Sequence, residues 1–252
     1  MTTEERLEKL EEELAAVITE FRAYSQARKD IAKVIRAKQF ELVDDQGRTC
    51  AILGVKPNGT GLFLLDEKGT DRVGLILREG EPGLFLTDEK GTVRAGMGMT
   101  KGEPALSLTD EKGTLRAGLI LSEGEPELGL FDEKGTLRAG LILSEGEPML
   151  GLNDEKGTIR VVMGMTEGEP ALSLSDEKGT YRAGLLFVEG EPTLSLNDEK
   201  GTLRVAMGVS EGEPTLGMYD ENGKGRATMG VFEGKPILDL YDKKGKVIWR
   251  AP

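Results

Sequence analysis

From Asp44 onward the polar and apolar positions recur with a period of 22 residues, written most cleanly at Asp110–Phe131 as D-E-K-G-T-L-R-A-G-L-I-L-S-E-G-E-P-E-L-G-L-F. The opening aspartate returns at Asp66, Asp88, Asp110, Asp132, Asp154, Asp176, Asp198, Asp220 and Asp242 without an insertion, giving nine full units and a remnant, 242–252. Inside a unit the pattern alternates with period two, the mark of strands with one side turned to a core. Leu115, Ala117, Leu119 and Leu121 fall on one side and Arg116, Gly118 and Ile120 on the other. Further on, Leu128 and Leu130 share a side while Glu127, Gly129 and Phe131 take the opposite one. Leu106, Leu108, Leu119, Leu121, Leu128, Leu130, Leu150 and Leu152 are therefore the predicted repeat core. The opposite side, mostly Gly, Ser or Asp beside an arginine column, is predicted to be wet.

Two stretches break the alternation. D-E-K-G has Asp first and Gly fourth, the composition of a type I turn whose last residue takes positive φ. S-E-G-E-P places Gly at the third position of a predicted type II turn, followed by a proline that cannot donate to a sheet ladder. Each unit thus reads as strand, tight turn, strand, tight turn. A monomeric parallel β-solenoid would stack like charges about 4.8 Å apart, whereas an antiparallel β-meander separates equivalent charges by about 10 Å, so the meander is preferred.

Residues 1–38 carry a different period. Thr2 and Glu5 have capping-box spacing, and heptads place Leu7, Leu14, Phe21 and Ile35 at a, with Leu10, Val17, Tyr24 and Ile31 at d. Arg28 is the one polar residue in that seam. The stripe is narrow, so it predicts a coiled-coil oligomerisation helix rather than a helix lying on a globular core. Bulky Phe21 and Tyr24 favour three strands over two. No Gly or Pro linker follows, so the helix is predicted to run to Lys38 and pass directly into a strand, sharing an axis with the array. The domains are then 1–38 coiled coil, 39–241 repeat array and 242–252 partial repeat, with Trp249 as an apolar plug and Pro252 as a stop to further pairing.

A sheet with one apolar side leaves a long aliphatic surface uncovered, and no single repeat buries enough to stand alone. Three copies gathered by the coiled coil, apolar sides inward, would form a homotrimeric triangular β-prism.

Composition narrows the function classes. Aromatics are only 5% of the chain, so the core must be aliphatic. A net charge of −12 spread over the repeats argues against nucleic acid as a partner. No classical export signal and no apolar run long enough to insert in a membrane is visible, which predicts a cytoplasmic or virion/filament component, extracellular only by a non-classical route. Cys50 stands alone and cannot form an internal disulfide. There is no histidine, which removes Ser-His-Asp triads, Cys-His dyads and His-ligated metals. The turn carboxylates lack the spacing of a known calcium loop and sit beside a lysine, so they read as solvated turns. Phe63, Phe85, Phe131, Tyr219 and Tyr241 fall on the predicted outer side, where scattered exposure accounts for them as well as contact with a sugar or partner does.

The heptad stalk from Leu7 to Ile35, followed by short β-repeats with D-E-K-G and G-E-P turns, resembles the trimeric fibre shafts of phages and viruses, and bacterial D-x-x-G repeat proteins. The resemblance is architectural and implies a shaft or fibre. The predicted function is a non-enzymatic structural rod, spacer, stalk or fibre that self-assembles, with no catalytic residue, metal or cofactor. The alternative is a repeat-surface binding module for a protein, glycan or calcium ligand.

Overall fold

The computed structural model describes residues 2–27 and 34–251, and within the helix the side chains as far as Arg22. It divides into two compact units, Met1–Phe40 and Glu41–Pro252.

In the first unit, α1 (Thr3–Ala27) starts where the capping box places it. Glu5 Oε2 accepts from Thr2 N–H at 2.7 Å, and Thr2 Oγ1 accepts from Glu5 N–H at 3.3 Å, satisfying two donors that a helix start leaves unpaired. Residues 34–37 have no regular structure, so the helix does not extend to Lys38 and Ile35 is not a helical seam position. The β-branched pair Val34–Ile35 favours extended backbone and contributes to that difference. Ile31 and Arg28 lie outside the described residues. The described part is a single helix, and the coiled coil is not part of the fold seen here.

The rest is one antiparallel meander. Strands β1 (Gln39–Val43), β2 (Thr49–Lys56), β3 (Gly59–Leu65), β4 (Asp71–Arg78) and β5 (Glu81–Thr87) begin a series of 20 that ends with β19 (Lys235–Tyr241) and β20 (Val247–Ala251). Each strand pairs with the next in sequence, so the sheet is open, with β1 and β20 at its edges.

The two turns alternate at opposite ends of the strands. In each D-x-x-G turn the fourth-position glycine donates to the aspartate carbonyl, as Gly113 does to Asp110 at 3.0 Å, and takes positive φ, as predicted for a type I turn. The turn closes with a bulge: Thr109 pairs with Leu115 and Leu108 with Ala117, leaving Arg116 as the extra residue. That extra residue shifts the alternation by one, so Leu115 lies on the side of Gly118 and Ile120 rather than with the other leucines.

The S-E-G-E-P turn differs from the prediction. Ser122 pairs with Glu125, leaving a two-residue loop, and both loop residues have positive φ: 53° at Glu123 and 85° at Gly124. This is a type I′ hairpin, whose twist matches the right-handed twist of the strands, whereas type II would splay them. Matching the sheet outweighs the steric cost of a left-handed glutamate.

The pairs Leu119↔Leu128 and Ala117↔Leu130 gather the leucine columns on one side, here called face A. The other side, face B, is strongly concave. Lys56 at the end of β2 forms an ion pair with Asp71 at the start of β4. In a flat sheet their Cα atoms would be about 20 Å apart, beyond the combined reach of the two side chains. Only coiling toward face B brings them together. All the buried residues among those described, Gly54, Phe63, Gly74, Gly184, Ser195 and Asp239, lie on face B. The side predicted to be wet is therefore the one the chain buries for itself, and its small residues fit the crowding on the inside of a bend.

Candidate functional site

Face A is the larger feature. Its side chains form an unbroken Leu/Met/Val field from Leu53 (53% exposed) through Leu119 (46%) to Met229 (59%). Of the predicted core, Leu106, Leu108, Leu128, Leu130 and Leu152 are exposed, and Leu121 and Leu150 half-buried. The leucines share one side, as the pairing register places them, but are not a core within one chain, because nothing in it covers that side. Near its centre the face sinks into an apolar depression of about 540 Å³, bordered by Leu141, Leu150, Met163, Met165, Leu172 and Phe187. The seam residues on α1, Leu7, Leu10, Leu14, Val17 and Phe21, are exposed as well; the side chain of Tyr24 is not among those described.

The carboxylate columns are engaged by the backbone. In each D-x-x-G turn aspartate Oδ1 accepts two N–H groups, as Asp110 does from Lys112 at 2.9 Å and Thr114 at 3.0 Å. The arginine column completes the arrangement: Arg116 Nη1 is 3.6 Å from Asp110, and its Nε donates to the carbonyl of Phe131 at 3.0 Å, tying one turn to the strand end beside the next. At the opposite edge Glu191 accepts from Glu211 N–H at 2.8 Å and Gly212 N–H at 2.7 Å, and Glu147 and Glu213 hold the type I′ turns that follow them in the same way. The backbone and arginine contacts hold the turn aspartates from Asp44 to Asp220 below the usual carboxylate range. At Asp66 the N–H of Thr70 is the chief cause. At Asp110 burial is the largest influence and raises the value, but the N–H groups of Thr114 and Lys112 together with Arg116 outweigh it. Among the described residues no three Cys, Asp or Glu side chains converge as a metal cage.

The outer-side aromatics behave differently from scattered exposed rings. Phe63 is fully buried, with Lys56 Nζ 4.6 Å above its ring. Phe85 lies across Gly74, where an added Cβ would sit 2.2 Å from the ring, and Phe131 covers Gly129 in the same way. Tyr181 lies over Gly184 with its hydroxyl 2.6 Å from Ser195 Oγ. A glycine column beside sporadic aromatics was the available signal for this packing. Cys50, a free thiol, occupies the bulge position that is arginine in the following repeats.

No protein-family model matches the chain, and no curated protein does. Among solved structures, the crystal structure of TcdB2-TccC3 without its hypervariable C-terminal region is similar at 10% identity over 84% of this chain, with a TM-score of 0.15. The match spans only 15% of that chain's length. None of the described helices is long and apolar enough to cross a membrane.

Proposed function

We propose that the protein is a non-enzymatic structural rod or spacer in which face A of each chain is covered by other copies of the same chain, three in all. The observation that carries this reading is the unbroken apolar surface of face A, exposed over the whole array while the chain's own buried residues lie on the opposite side. Monomeric soluble proteins rarely leave apolar patches beyond about 300–600 Å² in water. A field that runs the length of the sheet has ample area for an interface of ~800 Å² per partner. The exposed stripe from Leu7 to Phe21 offers a second, parallel means of gathering copies, and its aromatic residue favours three. Identical chains held in parallel bring like repeats to the same level, so every layer of leucines meets its own kind.

The test is solution mass by light scattering. The expected species has three times the 27.3 kDa chain mass, and Leu128→Asp with Leu130→Asp shifts it to smaller assemblies. A single-chain mass at micromolar concentration overturns the reading.

A further inference from the structure

Four positions near the start of the array depart from their columns, and all four line one hollow on face B. The fifteenth position of a unit is glycine from Gly80 to Gly234 but Asn58 in the first. The sixth is apolar at Val93, Leu115, Leu137 and Ile159 but Asp71 in the second repeat. The thirteenth is Thr100, Ser122, Ser144 and Thr166 further on but Arg78 there. The twentieth is small at Ser107, Gly129, Gly151 and Ser173 but Phe85. Strand coiling brings these residues together around a volume of about 370 Å³, with Ile76 and Val93 beside them. That is the size of a small-molecule site, with an apolar floor and a few convergent polar groups.

The chemistry of the lining is specific. Asn58 Oδ1 is buried without a hydrogen-bond partner. Asp71 is neutralised by Lys56. No described carboxylate lies within ion-pair distance of Arg78, so its guanidinium carries the uncompensated charge of the hollow. Glu79 and Glu81 border the neighbouring depression that Arg78 also lines; Glu81 is held by the N–H of Gly102 at 3.2 Å. Phe85, whose ring packs against Gly74, also borders the hollow.

We propose that this hollow binds an acidic sugar, a pyranose carrying a carboxylate. The carboxylate pairs with Arg78, whose planar fork suits it. A ring hydroxyl satisfies the buried amide of Asn58. The C–H face of the sugar lies on Phe85, where the negative π-face attracts its weakly positive hydrogens. A capping role alone would not gather the polar substitutions; here they converge with an aromatic ring on one open hollow.

The experiment is calorimetric titration of the full chain with methyl glucuronoside, methyl glucoside and sodium acetate, in wild type and in Asn58→Gly and Arg78→Ser. Arg78→Ser installs the residue that Ser122 and Ser144 supply in later repeats, whereas Asn58→Gly falls in a Pro57-Asn58 turn that lacks the positive φ of the later Glu-Gly turns, and circular dichroism checks that both variants keep the sheet. The expected result is millimolar binding of the glucuronoside, weakened at least ~10-fold by Arg78→Ser and measurably by Asn58→Gly, with the glucoside and acetate much weaker. Absence of glucuronoside binding overturns the proposal, as does equal affinity of wild type and both variants. Acetate binding as well as the glucuronoside would reduce the hollow to an anion site, and glucoside binding as well would remove the role of Arg78; either result also overturns it.

Discussion

Arg250 grips Asp239 with two nitrogens, Nε at 2.6 Å and Nη2 at 2.5 Å, across the last strand pair of the sheet. Asp239 is 2% exposed, and Tyr241 OH approaches it at 3.5 Å. The hydrogen bond from Arg250 holds the Asp239 carboxyl below its usual range despite burial. This bidentate pair anchors β20, whereas Trp249, the predicted apolar plug, is 48% exposed. Asp239→Asn is expected to fray β20 selectively. Hydrogen exchange should show loss of protection at Val247–Ala251 with the central strands unchanged; uniform protection would mean that backbone pairing alone holds the strand.

The depressed aspartates make stability pH-dependent. Because Asp66, Asp110, Asp132 and their equivalents have folded-state values below the unfolded value of ~3.9, their contribution is fully present above that value and is lost as pH falls through the lowered folded values. Nine turns from Asp44 to Asp220 lose it together. Far-UV circular dichroism against pH should show a plateau through the neutral range and a steep acid transition below pH 4, and replacing several turn aspartates by asparagine should flatten it.

Two glycines of the strands should respond oppositely to alanine. At Gly74 a Cβ would fall 2.2 Å from the Phe85 ring, so Gly74→Ala is expected to cost about 1–3 kcal/mol through overpacking. At Gly151 nothing lies within 4 Å, and the backbone is not left-handed, so Gly151→Ala should be neutral or stabilising by about 0.4–1 kcal/mol. Urea unfolding of both variants measures the difference.

The type I′ turns carry a removable strain. Glu145 has φ 53°, a conformation asparagine tolerates better than glutamate and that type I′ loops favour in Asn-Gly. Glu145→Asn is expected to raise stability by about 0.5–1 kcal/mol, read from the same unfolding midpoint. An unchanged or lower midpoint would mean the glutamate side chain contributes more than its backbone costs.

Much of this architecture is written locally. The Asp and Gly of each D-x-x-G turn, and the Thr2–Glu5 capping box, specify hydrogen bonds that involve only neighbours, and both form as read. The turn at Glu123–Gly124 was harder, because a glycine in a tight turn suits more than one type and only the sheet twist selects among them. The side taken by Leu115 depends on the bulge at Arg116, which strict alternation cannot show. Burial was the least legible property. The concavity that buries Phe63 and brings Lys56 to Asp71 arises from twist summed over several strands, so no single column of residues announces it. The hollow at Asn58 and Arg78 was visible only as departures from the repeat, and their convergence required the coiling.

Because every strand pairs only with its neighbours in sequence, the junction between one unit and the next is the same wherever it falls. A block of 22 residues can then be removed or duplicated with the new neighbours pairing in the same backbone register as the old. Length in such a molecule is a count rather than a design, and a gene that slips by one repeat yields a shorter or longer sheet built on the same pattern.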